Sequence, residues 1–283
     1  MNESDLRLAE GGDAEAQYRV ARWHAYGGGN FDEQEALKWY QKAAEQGHAD
    51  SQHEVAISCQ RAAEQGQTDP QFDIYSSHHQ EEMEQHNQEC VKWHLKAAEQ
   101  GHSDSQYALV FRYQVGHGVP QDKQEAFKWC TKAAEQGYSP HQIELAEMYQ
   151  DGNGVTKDTG EAVKWFRKAA EQGNGYAQLR LASGSRSGRL PKNLKESLKW
   201  HLILAKEGNM DSQCSAGIMY LDGEGTPESY IDAYAWLSLA KTQGHDFAGN
   251  ELEALKPKMT NQQIADGQAL AARYYDSIYK DCD

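Results

Sequence analysis

No stretch of eighteen apolar residues occurs in the chain, so no membrane-spanning helix is expected. The opening MNESDLRLAEGG holds no apolar core of an export signal. Basic residues are in short supply: 28 Lys and Arg stand against 43 Asp and Glu, a formal net charge of −15. A surface of that sign is poorly suited to displacing counterions from phosphates, which argues against nucleic acid and anionic lipid as partners. Five cysteines (Cys59, Cys90, Cys130, Cys214, Cys282) form no CxxC pair, which speaks against a disulfide framework and a structural zinc site and mildly favours a reducing compartment. Neither HExxH, GxSxG, GxGxxG nor a P-loop is present, so no enzyme class and no cofactor is implied. The expectation is a soluble cytoplasmic protein as given. A removed export signal would leave the same kind of start and would place the chain in the periplasm or outside the cell.

What the chain does have is one phrase, returning. KWYQKAAEQG begins at 38, KWHLKAAEQG at 92, KWCTKAAEQG at 128 and KWFRKAAEQG at 164, with weaker copies KWHLILAKEG from 199 and AWLSLAKTQG from 235. Trp39, Trp93, Trp129, Trp165, Trp200 and Trp236 each precede the phrase-end glycine by eight residues, and successive glycines lie 35 or 36 residues apart. A period of that size marks a solenoid of repeated units. Gly47 to Gly101 spans 54 residues instead, an insertion of about eighteen in the second repeat.

Each unit reads as two helices. In the second, Ala36, Trp39, Tyr40, Ala43 and Ala44 fall on one stripe, with Lys38, Gln41, Lys42, Glu45 and Gln46 opposite. Asp32 with Glu35, Asp122 with Glu125, Asp158 with Glu161, Asn193 with Glu196 and Ser229 with Asp232 resemble capping boxes at its start. The first helix is anchored by a glutamine column (Gln17, Gln52, Gln106, Gln142, Gln178, Gln213), and a glycine ten residues on (Gly27, Gly116, Gly152, Gly188, Gly223) is expected to stop it. Repeat two has Ala62 there. Its first helix is predicted to run to Gly66, a loop to cover 67–80 around Pro70, and its second helix to extend upstream through EEMEQ.

SQYALVFRYQVGHGVPQDKQEAFKWCTKAAEQG closely matches AxxQxxLAxxYxxGxGVxxDxxxAxxWxxKAAxxG, and the chain is identified on these residues as resembling the Sel-one-like repeat (SLR) family, relatives of tetratricopeptide repeats. The resemblance implies an all-α fold, a right-handed α/α solenoid of stacked antiparallel helix pairs. On that plan, residues 1–12 are an N-terminal capping helix and residues 245–283 form C-terminal capping helices. Six units lie between, at 13–47, 48–101 with the insertion, 102–137, 138–173, 174–208 and 209–244. Members of the family are non-enzymatic adaptors, often bacterial, that hold protein partners in signalling, envelope assembly, virulence or toxin immunity. A cysteine-rich branch pairs cysteines within each repeat, a spacing this chain lacks.

In such stacks the first helices line the concave, docking face. The variable positions two, five and nine residues after the glutamine are the candidate partner-binding residues. They include Arg19, Arg22, Tyr26, Ile57, Phe111, Val115, Glu144, Glu147, Arg180 and Ile218, with Tyr26 and Phe111 as aromatic anchors. Phe72, Ile74 and Tyr75 of the insertion are expected either to reach a partner or to fold back over the irregular repeat. The acidic balance suits a basic protein partner. A competing reading is a metal-binding protein or metal-dependent enzyme. His86, Cys90 and His94 at i, i+4 and i+8 would face roughly one way on a continuous helix, although Cys90 and His94 also occupy packing columns.

Overall fold

Every regular element among the described residues is helical in the computed structural model, which describes residues 3–27, 31–68 and 77–279, with side chains outside 65–80. A first helix α1 (Glu3–Glu10) precedes six pairs: α2 (Ala14–Tyr26) with α3 (Glu33–Glu45), α4 (Ala49–Thr68) with α5 (Ser77–Glu99), α6 (Ser103–Val115) with α7 (Lys123–Glu135), α8 (Ser139–Asp151) with α9 (Thr159–Glu171), α10 (Gly175–Gly184) with α11 (Leu194–Lys206), and α12 (Met210–Asp222) with α13 (Tyr230–Thr242). Then come α14 (Asp246–Leu255), a short 3-10 turn (Lys256–Lys258) and α15 (Asn261–Tyr279). The chain divides into two compact units, Met1–Met148 with Gly152–Thr156, and Tyr149–Asp151 with Lys157–Asp283.

The returning phrase is explained by what each of its residues touches. Ala43 and Ala44, Ala97 and Ala98, Ala133 and Ala134, and Ala169 and Ala170 are buried, small enough to let helices approach closely. The tryptophan faces inward, and the lysine three residues later lies over its ring: Lys42 Nζ is 3.9 Å from the Trp39 centroid, Lys96 3.7 Å from Trp93 and Lys132 4.1 Å from Trp129, with Lys168 3.5 Å from Trp165 in the second compact unit. The closing glycine has positive φ at every copy, from Gly47 (94°) to Gly244 (90°), a left-handed turn that a side chain would strain.

The phrase glutamine, read as surface, is structural. Gln46 Nε2 donates to Gln17 Oε1 (2.7 Å), Gln100 to Gln52 (2.8 Å), Gln136 to Gln106 (2.7 Å) and Gln243 to Gln213 (2.7 Å). The accepting column glutamine in turn donates to the carbonyl eight residues before it: Gln17 to Ala9, Gln52 to Ala44, Gln106 to Ala98 and Gln213 to Ala205, each at 3.0 Å. Buried amides are thus satisfied in a relay from one repeat to its predecessor. Gln106→Leu keeps the volume and removes both bonds, so a loss of about 1–2 kcal/mol is expected in urea unfolding, and a larger one for Gln106→Glu, whose carboxylate has no proton for the Ala98 carbonyl.

Three expectations are corrected. The cap residues Asp32, Asp122, Asp158, Asn193 and Ser229 do accept from the backbone three residues on. The reciprocal half of the box is missing at Asp32, Asp122 and Asp158, because their own N–H groups donate to the carbonyls of His24, Tyr113 and Tyr149. The freed glutamates Glu35, Glu125 and Glu161 pair with Lys38, Lys128 and Lys164 instead. α10 ends at Gly184 rather than at Gly188. A Cβ on Gly184 would stand 2.5 Å from Leu190 Cδ1, and the chain turns there to bury Leu190. Finally, 67–80 is not all loop: α4 continues to Thr68 and α5 begins at Ser77, while Phe72, Ile74 and Tyr75 lie outside the described residues.

Where those extensions begin, the regular parts of α4 and α5 meet α6. Arg112, 4% exposed, donates from Nη1 to Asn87 Oδ1 (2.8 Å) and from Nη2 to Gln60 Oε1 (3.2 Å) and Cys90 Sγ (3.0 Å). The last regular turn of α4 and the first regular turn of α5, from which the added turns project, are therefore pinned to repeat three by a buried guanidinium.

Candidate functional site

The variable first-helix positions fall into two groups. Tyr26 (65% exposed), Phe111 (54%) and Val115 (43%) present apolar surface to solvent, and Arg22 is exposed with its guanidinium 5.9 Å from the Tyr18 ring. Phe111 meets the His117 ring edge-on at 5.8 Å. The others are engaged within the protein. Arg19 is tied to Asp5 (2.9 Å) and Glu15 (3.3 Å), and Glu144 accepts from Gln114 Nε2 (3.0 Å). Ile57 and Glu147 are half-buried. In the second compact unit Arg180 donates to Gln150 Oε1 (2.7 Å) and lies 5.4 Å from the Phe166 ring, and Ile218 packs on the cluster around Tyr234 and Leu252. Tyr26, Phe111 and Val115, with the exposed Arg22, are thus the part of this list left free for docking.

Beside Tyr26 and Glu54, both at variable first-helix positions, the structure adds residues that sequence reasoning missed. A pocket of about 330 Å³ opens between α2, α3 and α4, lined by Tyr26, Phe31, Tyr40, Glu54, Ser58 and Arg61 among others. Phe31 is 71% exposed. It occupies the place just before the cap residue where other repeats carry Gln121, Lys157, Lys192 and Glu228, and an aromatic residue in that polar column was the available signal. Burial raises the Glu54 carboxyl above its usual range, Asp50 adds to the rise, and Arg61 and Arg22 oppose it.

The histidine and cysteine set of repeat two does not converge. His86 is exposed, whereas Cys90 and His94 are both fully buried. The Cys90 sulfur accepts from Arg112 and the His94 Nδ1 lies 3.3 Å from Ser105 Oγ, so the two point to different neighbours and share no centre with His86. Burial pushes the Cys90 thiol up to about 11, which keeps it protonated and unreactive. Cys59, Cys90, Cys130 and Cys214 are free thiols, and no group of three His, Cys, Asp or Glu side chains among the described residues is placed to hold a metal ion.

His94 makes a pH prediction. Burial, with His53, Arg112 and His102 adding to it, lowers its pKa to about 3 from an unfolded value of roughly 6.5. Below 6.5 the unfolded chain binds a proton that the folded chain refuses, so stability falls as pH drops from 6.5 towards 3. At pH 4.5 this group alone removes about 2–3 kcal/mol. Phe166 fills the same column fully buried, so His94→Phe is expected to flatten that part of the profile in urea midpoints taken at pH 7 and 4.5.

Comparison with known proteins agrees with this architecture. The Sel1 repeat model matches six times, at residues 14–48, 82–102, 103–138, 142–174, 175–209 and 211–245. No curated protein is matched. The structure of c5321, described as a protective antigen present in uropathogenic Escherichia coli strains and displaying an SLR fold, is 27% identical with a TM-score of 0.54, covering 98% of this chain and 56% of that one. This chain therefore spans little more than half the length of that relative. A Sel1 repeat protein from Oxalobacter formigenes is 29% identical with a TM-score of 0.53, covering 81% of this chain and 85% of that one. With more than half of its residues in matched repeats and an all-helical SLR architecture, the chain belongs to the Sel1 repeat family.

Proposed function

We propose that the chain is a non-enzymatic scaffold that holds a protein partner on the first-helix face of its N-terminal compact unit. The observation that carries this reading is the exposure of Tyr26 in α2 and Phe111 in α6 at variable positions of first helices, where rigid aromatic side chains serve as interface anchors. Repeats of this family typically act as interaction scaffolds, which supports the reading. A basic partner fits the net charge of −15, since opposite charge speeds encounter. A bacterial adaptor of a virulence or toxin-immunity system, working in the cytoplasm or after export, belongs to the same proposal and draws its support from the kind of relative c5321 is.

The test is capture from native lysate with the intact chain and with Tyr26→Ala and Phe111→Ala as baits. The expected result is a protein retained near stoichiometrically by the intact chain and lost at least tenfold by the double variant, whose melt stays within about 0.5 kcal/mol of the parent because both rings are exposed. Equal retention by both baits, or none by the intact chain, refutes the reading.

A further inference from the structure

We propose that the pocket between α2, α3 and α4 receives an arginine side chain of the protein partner, with the guanidinium on the Glu54 carboxylate and the Tyr40 hydroxyl and the stem against Tyr26 and Phe31. The inference rests on the scaffold reading above and gives it a chemistry.

Two polar groups in the pocket lack a partner. Tyr40 is only 5% exposed, yet its hydroxyl has no hydrogen bond among the described residues. A buried hydroxyl without a partner costs free energy, and this one stands in the wall of an open pocket that an incoming donor can enter. The Glu54 carboxylate, half-buried in the same wall, makes no hydrogen bond or ion pair with a described residue, and its raised affinity for a proton reports a charge held in a partly desolvated place. Arg61 and Arg22 offset the rise only in part and neither is hydrogen-bonded to Glu54; the Arg61 guanidinium is paired with Glu33 at 3.1 Å. An arriving cation compensates the Glu54 charge and gives the tyrosine oxygen a proton to accept.

The shape favours arginine over lysine. Tyr26 and Phe31 stand exposed at the mouth (65% and 71%). Their flat faces suit a planar guanidinium, which stacks on aromatic rings and sheds water more readily than an ammonium. Two separated acceptors, a carboxylate and a hydroxyl, also match the several N–H groups of its fork.

The full-length chain, titrated with the tripeptide Ac-Gly-Arg-Gly-NH2 and followed by amide and side-chain NMR, provides the test. The expected result is saturable shifts at Ala36, Leu37, Tyr40 and Ser58. Binding should be at least tenfold weaker for the neutral citrulline tripeptide, and severalfold weaker for the lysine tripeptide. Glu54→Gln should weaken the arginine tripeptide at least tenfold, and Tyr26→Ala should weaken it with an unchanged melt. Shifts absent from the pocket, equal binding of the arginine and citrulline peptides, lysine binding as tightly as arginine, or full affinity in Glu54→Gln each overturn the inference. A Glu54→Gln bait that still captures the same protein sinks the pocket alone and leaves the scaffold standing. A chain that binds the arginine tripeptide but captures no protein sinks the scaffold reading, and with it the protein partner, and leaves a pocket selective for a guanidinium.

Discussion

Trp129→Ala is expected to lower the unfolding free energy by about 3–5 kcal/mol, whereas Lys128→Ala, one residue away, leaves it within about 0.5 kcal/mol. Trp129 is 7% exposed and lies among the alanines of α7, with Lys132 held over its ring at 4.1 Å. Truncation removes a large apolar surface from the inter-helix seam and leaves a cavity that neighbouring alanines cannot fill. Lys128 makes one exposed pair with Glu125 on the same helix, of a kind worth a few tenths of a kcal/mol. Melting midpoints of the two variants decide the matter. Equal shifts would mean that the tryptophan column is not the packing seam of the repeats.

Arg112→Ala is expected to cost about 2–4 kcal/mol, with Arg112→Met costing roughly half as much. Two opposed terms set these values. A buried guanidinium with only neutral acceptors is costly to desolvate, and its removal recovers that cost. Against this stand three hydrogen bonds, to Asn87, Gln60 and Cys90, and the volume of a side chain that is 4% exposed. Methionine restores most of the volume and removes the charge, whereas alanine restores neither the volume nor the bonds. The local signature is faster hydrogen exchange in α4 after Ser58 and in α5 before Cys90, where the pinned turns would fray. Melting of Arg112→Ala within 0.5 kcal/mol of the parent would show that these turns hold without the guanidinium.

Helix pairs, alanine stripes and turn glycines were legible from the sequence because each is local and repeats at every unit. The fold class follows from them. Partnerships across units were harder to see. Gln46 sits on the polar side of its helix, and its bond to Gln17 joins residues of different helices, which helical periodicity does not register. Glu35 matched a capping box, but the Asp32 N–H had already been given to the His24 carbonyl, a choice that depends on how α2 and α3 pack. Around Pro70 the polar composition suggested a loop from 67, while α4 runs on to Thr68 and α5 begins at Ser77. Of the variable positions, Tyr26 and Phe111 are exposed as expected. The bonds that tie down Arg19, Glu144 and Arg180 come from residues on other helices or turns that no single-helix projection contains. The pocket around Tyr40 needed three helices to exist.

The glutamine relay also gives the array a direction. In each of these links the donor belongs to the later residue and the acceptor to the earlier one: Gln46 to Gln17 to Ala9, Gln100 to Gln52 to Ala44, Gln136 to Gln106 to Ala98, and Gln243 to Gln213 to Ala205. Each column amide has its oxygen and nitrogen assigned by its neighbours, so it cannot flip without breaking bonds on both sides. The column ends at Gly249 in α14, which has no side chain to continue it. An engineer who wished to lengthen or shorten this protein would therefore cut between one phrase glycine and the next, moving a donor and an acceptor together. A cut elsewhere in the period would leave one amide facing its own kind.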